Sequence, residues 1–358
     1  MIYNSTIWLN DKRVDLTSAD DLSTFDNYEQ GILLFIKEWL SGSNRFTLHT
    51  SGSTGIPKEI EVTRNQMIAS AKATVNFLKI AQKTPVTVCI DARYIGGKMQ
   101  LVRALIHDLP LQIITPTTRL MDQLDALPSL GLMSLVPLQL YNLLDAAPQI
   151  LNKASAVLIG GAPVQANYLT KLTSTAPPVY HTYGMTETIS HVALKHLNGE
   201  DLSDEFMSLP GIELATDDRG CLVITGEVTG NQPVTTNDIV ELTSPSTFLW
   251  KGRYDNVVNS GGVKIFPEEV DKLIASELDA VVPGAQFFTS GVPDEKLGQR
   301  LVLCIESAQN IEVSGLIETL KAKLPAYHAP KHIYILEHFI KTSSGKVDKL
   351  KTVDSVLS

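Results

Sequence analysis

Short apolar runs alternate with amphipathic stretches along the first half of the chain. Residues 86–90, 111–114, 132–136 and 156–159 read as strands, and 66–78, 98–107 and 138–146 between them read as helices. Such alternation predicts β-α units and a largely parallel sheet. A further strand is expected at 59–62, preceded by an apolar stretch around Phe46 and Leu48. After Ile212 the pattern changes to short strands with turns, at 221–225, 239–242 and 248–250, which predicts a small β-rich subdomain. From Asp255 a second unit begins. Residues 257–258 and 263–266 flank a Ser260-Gly261-Gly262 turn. Pro267 then suits the first helical position, and Glu268 and Glu269 suit the positive helix end. Val270, Leu273, Ile274 and Leu278 recur at helix spacing. Strands are expected at 286–289, 301–305 and 333–336. The expected fold is an α/β large N-terminal domain with a small β-rich subdomain, residues 1–254, and a small α+β C-terminal domain, residues 255–358.

Bulk numbers agree with such a chain. Its 358 residues exceed one typical domain. Thirty basic against 39 acidic residues leave a net charge of −9, with no basic block, so nucleic acid is not an expected partner. Cys89, Cys221 and Cys304 are far apart in apolar runs, without metal-ligand spacing. Buried thiols in a reducing cytoplasm are expected. The start of the sequence has no long apolar core or cleavage-like site, so no signal peptide is expected, and no run of about 18 apolar residues occurs, so no membrane span is expected.

The chemistry concentrates in Thr50-Ser51-Gly52-Ser53-Thr54-Gly55-Ile56-Pro57-Lys58. Glycines let backbone N–H groups approach a ligand, consecutive N–H groups form an anion-binding concavity, and Lys58 adds a full charge. Hydroxyls supply further donors. The mononucleotide P-loop pattern does not occur.

This loop resembles the phosphate-binding signature of the adenylate-forming superfamily, which includes acyl- and aryl-CoA ligases. Four more segments follow in that family's order: Gly160-Gly161-Ala162-Pro163, Tyr183-Gly184-Met185-Thr186-Glu187-Thr188, Thr236-Asn237-Asp238 before Gly252-Arg253-Tyr254-Asp255, and Thr342-Ser343-Ser344-Gly345-Lys346. The resemblance implies two half-reactions. A carboxylate attacks the α-phosphorus of ATP to give an acyl-adenylate and pyrophosphate, and a thiol, usually that of coenzyme A, then displaces AMP. Thr50, Ser51, Gly52, Ser53, Thr54, Gly55 and Lys58 would cradle the phosphates. Glu187 would bind Mg²⁺, for which a hard carboxylate is suited. Thr186 would contact the α-phosphate or acyl carbonyl. Gly161, Ala162 and Pro163 would line the adenine pocket, and Tyr183, next to Gly184, would stack on the base. Asp238 would accept both ribose hydroxyls, with Arg253 beside it. Lys346 would be the lysine brought in for adenylation, with Asp255 as the hinge. Lys349 stands where the family often has Arg. Ser260, Gly261 and Gly262 would pass the pantetheine arm of coenzyme A.

Two departures stand out. The phosphate loop begins at residue 50, whereas in the family it usually lies well over a hundred residues into the chain, and Asn237 replaces a common glycine. Segments 134–140, 160–164 and 259–265 are similar to the o-succinylbenzoate–CoA ligase branch, and Tyr94-Ile95-Gly96-Gly97 stands at its Gly-containing substrate loop. A substrate of that kind carries a second carboxylate that must be paired if buried. Arg93, Lys98, His181 and Thr182 are the candidates. A ligase for another aromatic or short-chain acid, a protein loading a phosphopantetheinyl carrier, and a degenerate nucleotide-binding module remain alternatives. The expected partners are a small carboxylic acid, ATP and coenzyme A, and a homodimer is left open.

Overall fold

The computed structural model describes residues 6–17, 21–49, 59–172, 177–308, 311, 313, 315–342 and 347–357. Five parallel strands form the centre of a 13-stranded sheet, in the spatial order Leu111–Ile113, Val86–Val88, Gly131–Leu135, Ala154–Ile159 and Val179–Met185. Side chains alternate between its faces, as the strand period requires. Leu132, Ala156 and Leu158 enter a core shared with helices Asn27–Leu40, Arg64–Phe77 and Ile95–His107. Met133, Leu135, Val157 and Ile159 enter the opposite core, with Leu140 and Leu143 of Pro137–Ala146. Both faces are covered, which explains why these strands read as continuous apolar runs.

The chain leaves Val86–Val88 in two directions. Leu111–Ile113 lies on one side and Gly131–Leu135 on the other. A strand order that reverses in this way opens a crevice at the carboxyl ends, where ligands bind in open α/β sheets. The loops after Val88, Leu135, Ile159 and Met185 therefore meet at one edge.

The expected β-rich segment is present and continues the same sheet. Ser190–His196, Phe206–Ser208, Thr247–Arg253, Val234–Ser244, Cys221–Gly226 and Ile212–Thr216 extend it antiparallel beyond Val179–Met185. At the other edge, a Thr6–Leu9/Lys12–Asp15 hairpin pairs with Leu111–Ile113.

A separate five-stranded sheet contains Val258–Ser260, Val263–Ile265, Phe287–Asp294, Gly298–Glu306 and His332–Leu336. Helix Pro267–Val281 covers it, with Pro267 in the first turn and Glu268 and Glu269 at the positive end. Val270, Ile274 and Leu278 are buried as their spacing predicts. Leu273 is not: it is 56% exposed, because the buried stripe is narrower than the apolar one. This helix also meets the large sheet, with Lys272 Nζ 2.9 Å from Asp204 and Lys251 Nζ 3.3 Å from Glu269. All three cysteines are free and buried.

Candidate active site

Val179–Met185 carries His181, Thr182, Tyr183 and Gly184 to the carboxyl edge. Tyr183 Oη donates to Asp238 Oδ2 at 2.8 Å, and Trp250 Nε1 donates to Asp238 Oδ1 at 3.1 Å. Arg253, paired with Asp238 in strand register, lies 3.7 Å from the same carboxylate. Asp238 is 7% exposed, so two neutral donors and one cation fix its direction. Each carboxylate oxygen keeps acceptor capacity for a ribose hydroxyl. Behind it, the Tyr183 ring packs on Phe206 and Phe248 at centroid distances of 5.6 and 5.1 Å. Burial, then the Asp238 charge, raise the Tyr183 hydroxyl strongly, so it stays a donor.

The glycines here make room for backbone. A Cβ at Gly184 would lie 2.1 Å from the Ser190 carbonyl oxygen, and one at Gly160 would lie 2.7 Å from Thr182 Oγ1. Thr186 and Glu187 sit in a tight 3₁₀ turn, Thr186–Thr188, capped by the buried Thr188 hydroxyl. Ile189 and Ser190 follow with φ of 54° and 80°. Left-handed geometry at a β-branched residue is strained, and such strain is held only where the surroundings over-determine it. Ser70, from helix Arg64–Phe77, holds the Ile189 carbonyl at 2.8 Å and is a support the sequence reading missed. Glu187 is exposed. Among the described residues no group of three or more His, Cys, Asp or Glu forms a metal cage. A lone exposed carboxylate fits Mg²⁺, which takes one or two carboxylates with substrate phosphates.

Thr50, Ser51, Gly52, Ser53, Thr54, Gly55 and Lys58 lie outside the described residues, as does Lys346. The strands on either side of the phosphate loop, Arg45–His49 and Glu59–Thr63, pair antiparallel up to His49 and Glu59. Lys341 and Val347, which bracket the lysine segment, also pair. Lys349 lies 3.5 Å from Asp271 and 3.8 Å from Glu268. Ser260 is buried, and Gly261 and Gly262 take φ of 60° and 85°, which glycine adopts without strain.

The four candidates for the second carboxylate have other partners. Arg93 is exposed and makes a salt bridge to Asp91 at 2.6 Å. Lys98 lies over the Phe35 ring at 5.1 Å, its pKa lowered by burial. Burial, then Lys195, bring His181 down to about 4, and its ring bonds the Ala162 backbone. It is neutral and braces the Gly160–Pro163 loop instead of offering a charge. Thr182 Oγ1 donates to the Ile159 carbonyl at 3.1 Å. The Gly96-Gly97 pair is helical, since the helix starts at Ile95. A Cβ at Gly97 would lie 2.6 Å from the Asp91 carbonyl oxygen.

A further cation, Arg103, was not singled out in the sequence. It lies in the same helix, is 1% exposed, and donates to Gln100 Oε1 at 3.0 Å. Its Nε and Nη2, and Gln100 Nε2, have no partner. Burial brings the guanidinium down to about 9, so it remains a cation near neutrality. Its charge acts on the buried His191, which pairs in register with Gly184. The sequence signal was a charged residue inside the apolar run Leu101, Val102, Ala104 and Leu105.

Comparison with known proteins agrees with this fold. The AMP-binding enzyme family pattern matches residues 26–230. The 2-succinylbenzoate–CoA ligase of Staphylococcus epidermidis is 26% identical over 361 residues, covering 94% of this chain and 74% of that protein. The Enterococcus faecalis ligase of the same name is 27% identical, covering 84% and 67%. A solved acyl-CoA synthetase (AMP-forming)/AMP-acid ligase II-like protein from Dyadobacter fermentans is 42% identical, with a TM-score of 0.62 and coverage of 92% and 95%. O-succinylbenzoate coenzyme A synthetase from Bacillus subtilis, in complex with ATP and magnesium ion, shares the fold at 21% identity, with a TM-score of 0.74 and coverage of 86% and 69%. Among the described residues no helix is long and apolar enough to cross a membrane. The chain therefore belongs to the AMP-binding enzyme family and is an adenylate-forming acid–CoA ligase.

Proposed function

We propose that this chain converts o-succinylbenzoate to o-succinylbenzoyl-CoA, and that Arg103 supplies the counter-charge for the carboxylate that is not activated. The observation that carries this reading is the buried, under-partnered guanidinium. Burying an unpaired charge costs several kcal/mol in general. A ligand carboxylate offers two acceptors to the planar fork. The names of the relatives support the same acid.

In the first half-reaction, the succinyl carboxylate oxygen attacks the α-phosphorus and pyrophosphate leaves. Asp238 and Arg253 hold the ribose, and the 50–58 loop holds the leaving phosphates. Lys346 bridges the carboxylate and α-phosphate oxygens as charge builds. Glu187 would hold Mg²⁺, which would supply positive charge against the phosphates. In the second half-reaction, residues 255–358 swing about Asp255. The coenzyme A sulfur, approaching along the Ser260–Gly262 turn, then attacks the acyl carbon. The acyl–phosphate bond breaks, and AMP leaves. Three free buried thiols suit a cytoplasmic location.

Arg103→Met tests the reading against a merely structural role. Removing an unpaired buried charge should leave the melting temperature unchanged or raise it. The same change should lower kcat/KM for o-succinylbenzoate by roughly 10- to 100-fold, at about 1.4 kcal/mol per tenfold. An analogue without the ring carboxylate should be affected little. Equal loss with both substrates, together with a lower melting temperature, would make Arg103 structural.

A further inference from the structure

Asn237 stands where the family commonly has glycine. The backbone does not need glycine there. Asn237 lies inside strand Val234–Ser244 and is not among the residues with positive φ. Its side chain instead joins two parts of the molecule. Asn237 Oδ1 accepts from Arg219 Nη1 at 3.1 Å, and Asn237 Nδ2 donates to Asp255 Oδ2 at 3.2 Å. Arg219 is itself held, with Nε donating to Asp217 at 2.9 Å and Nη2 donating to the Thr236 carbonyl at 3.2 Å. The guanidinium lies 5.0 Å from the centre of the Tyr254 ring. On the other side, Arg253 Nη2 donates to the same Asp255 oxygen at 3.3 Å, while Nη1 faces Asp238. A continuous polar chain thus runs from the Asp217 turn, through Asn237 and Asp255, to Arg253 and Asp238. Glycine at 237 could make neither side-chain bond.

We infer that Asn237 is a positioning residue, whose amide ties the hinge aspartate to Arg219 and holds residues 255–358 in the pose of this structure. The inference rests on the proposed swing about Asp255. Rotation at Asp255 carries its carboxylate away from both Asn237 and Arg253, so leaving this pose breaks both contacts. The Arg253–Asp255 pair is exposed on both sides, at 38% and 57%, and is screened by salt. The Asn237 bond involves a neutral donor and responds less to salt. Losing one such bond shifts a two-pose equilibrium roughly two- to tenfold. The departure from the family glycine is therefore a device for setting how readily the small unit swings.

The test uses the full-length chain with Glu213→Cys, exposed on strand Ile212–Thr216 of the large sheet, and Glu318→Cys, exposed on helix Leu316–Lys323 of the small unit, both carrying spin labels. The three native thiols are buried. Distances between the labels report the poses directly. Asn237→Gly should deplete the wild-type pose roughly two- to tenfold, at both low and high salt. Asn237→Asp should deplete it further, because a carboxylate keeps the Arg219 bond but repels Asp255. Affinity for ATP with Mg²⁺ should stay within about twofold, since Asp238 retains Tyr183 and Trp250. The ratio of the two single-turnover half-reaction rates should change with the pose population. Two wild-type populations that neither variant alters would overturn the role of Asn237. Lost ATP affinity at unchanged populations would move Asn237 into the nucleotide pocket and also overturn it. A wild-type distance that stays single with ATP and Mg²⁺, and again with coenzyme A, would sink the swing itself.

Discussion

Asp238→Ala separates two consequences of one carboxylate. In the folded chain Asp238 accepts from Tyr183 at 2.8 Å and from Trp250 at 3.1 Å. Truncation leaves both donors without a partner. Each orphaned donor costs about 1–3 kcal/mol. Tyr183 and Trp250 are only partly buried, so the lower end applies, and the stability loss should be about 2–3 kcal/mol. The ribose separately loses hydrogen bonds to a charged acceptor, about 1.5–3 kcal/mol, or roughly 10- to 150-fold in ATP affinity. Adding Tyr183→Phe removes one orphan. The double variant should regain about 1 kcal/mol of stability relative to Asp238→Ala, and none of the ATP affinity. Urea unfolding measures the first quantity, and calorimetric titration with ATP and Mg²⁺ measures the second. If the double variant is no more stable than the single one, the Tyr183–Asp238 bond does not satisfy a buried donor. If ATP binds Asp238→Ala normally, the carboxylate has no part in the ribose site.

Lys346→Ala should stop adenylate formation, followed by pyrophosphate release, yet leave thioester formation from supplied acyl-adenylate largely intact; equal loss in both steps would refute that division. Gly262→Leu places a side chain at φ 85°, a strain of about 1–2 kcal/mol, in space open to 4 Å. Adenylate should still form while acyl-CoA output falls, and Gly262→Asn, which tolerates that backbone, should keep the stability. Stability should also depend on pH near 5. His181, held down to about 4, and His191, held well below its ordinary value of 6.5, are both neutral when folded, whereas the unfolded chain protonates them below 6.5. Their contribution is present above pH 6.5 and is lost as pH falls. Asp271, raised by burial to about 6, acts in the opposite sense between there and its ordinary 3.8. His107 and His196, also lowered by burial, add to the histidine side, so stability should fall as pH drops through this range, and His181→Gln should flatten the fall. A slope unchanged by that substitution would show that His181 titrates normally.

The central sheet was legible because both of its faces are covered, so that 132–136 and 156–159 stand out as apolar runs. Pro267 with Glu268 and Glu269 marked its helix for a local reason, a proline and two acidic residues in the first turn, and the structure keeps it. Helix Asn27–Leu40 escaped, although its Asp26–Glu29 capping box is a sequence-level signal. The phosphate loop and Lys346 were read from motif alone. What pairs with what was not legible. Arg93 lies two residues from Asp91 and folds back onto it, and His181 loses its charge to burial, neither of which spacing reveals. Arg103 and Asn237 acquire their significance from neighbours 88 and 18 positions away, His191 and Asp255. Such contacts belong to tertiary packing and not to local pattern.

The most direct test of the account is acyl-CoA formation by the purified chain with ATP, Mg²⁺ and coenzyme A, comparing o-succinylbenzoate, its analogue without the ring carboxylate, benzoate and a long-chain fatty acid. The account predicts the highest kcat/KM for o-succinylbenzoate. The analogue should fall behind by roughly 5- to 150-fold, the 1–3 kcal/mol expected when a buried polar partner is left unpaired. A benzoate or fatty-acid kcat/KM equal to that of o-succinylbenzoate would contradict it, as would an adenylate passed to a carrier protein but not to coenzyme A.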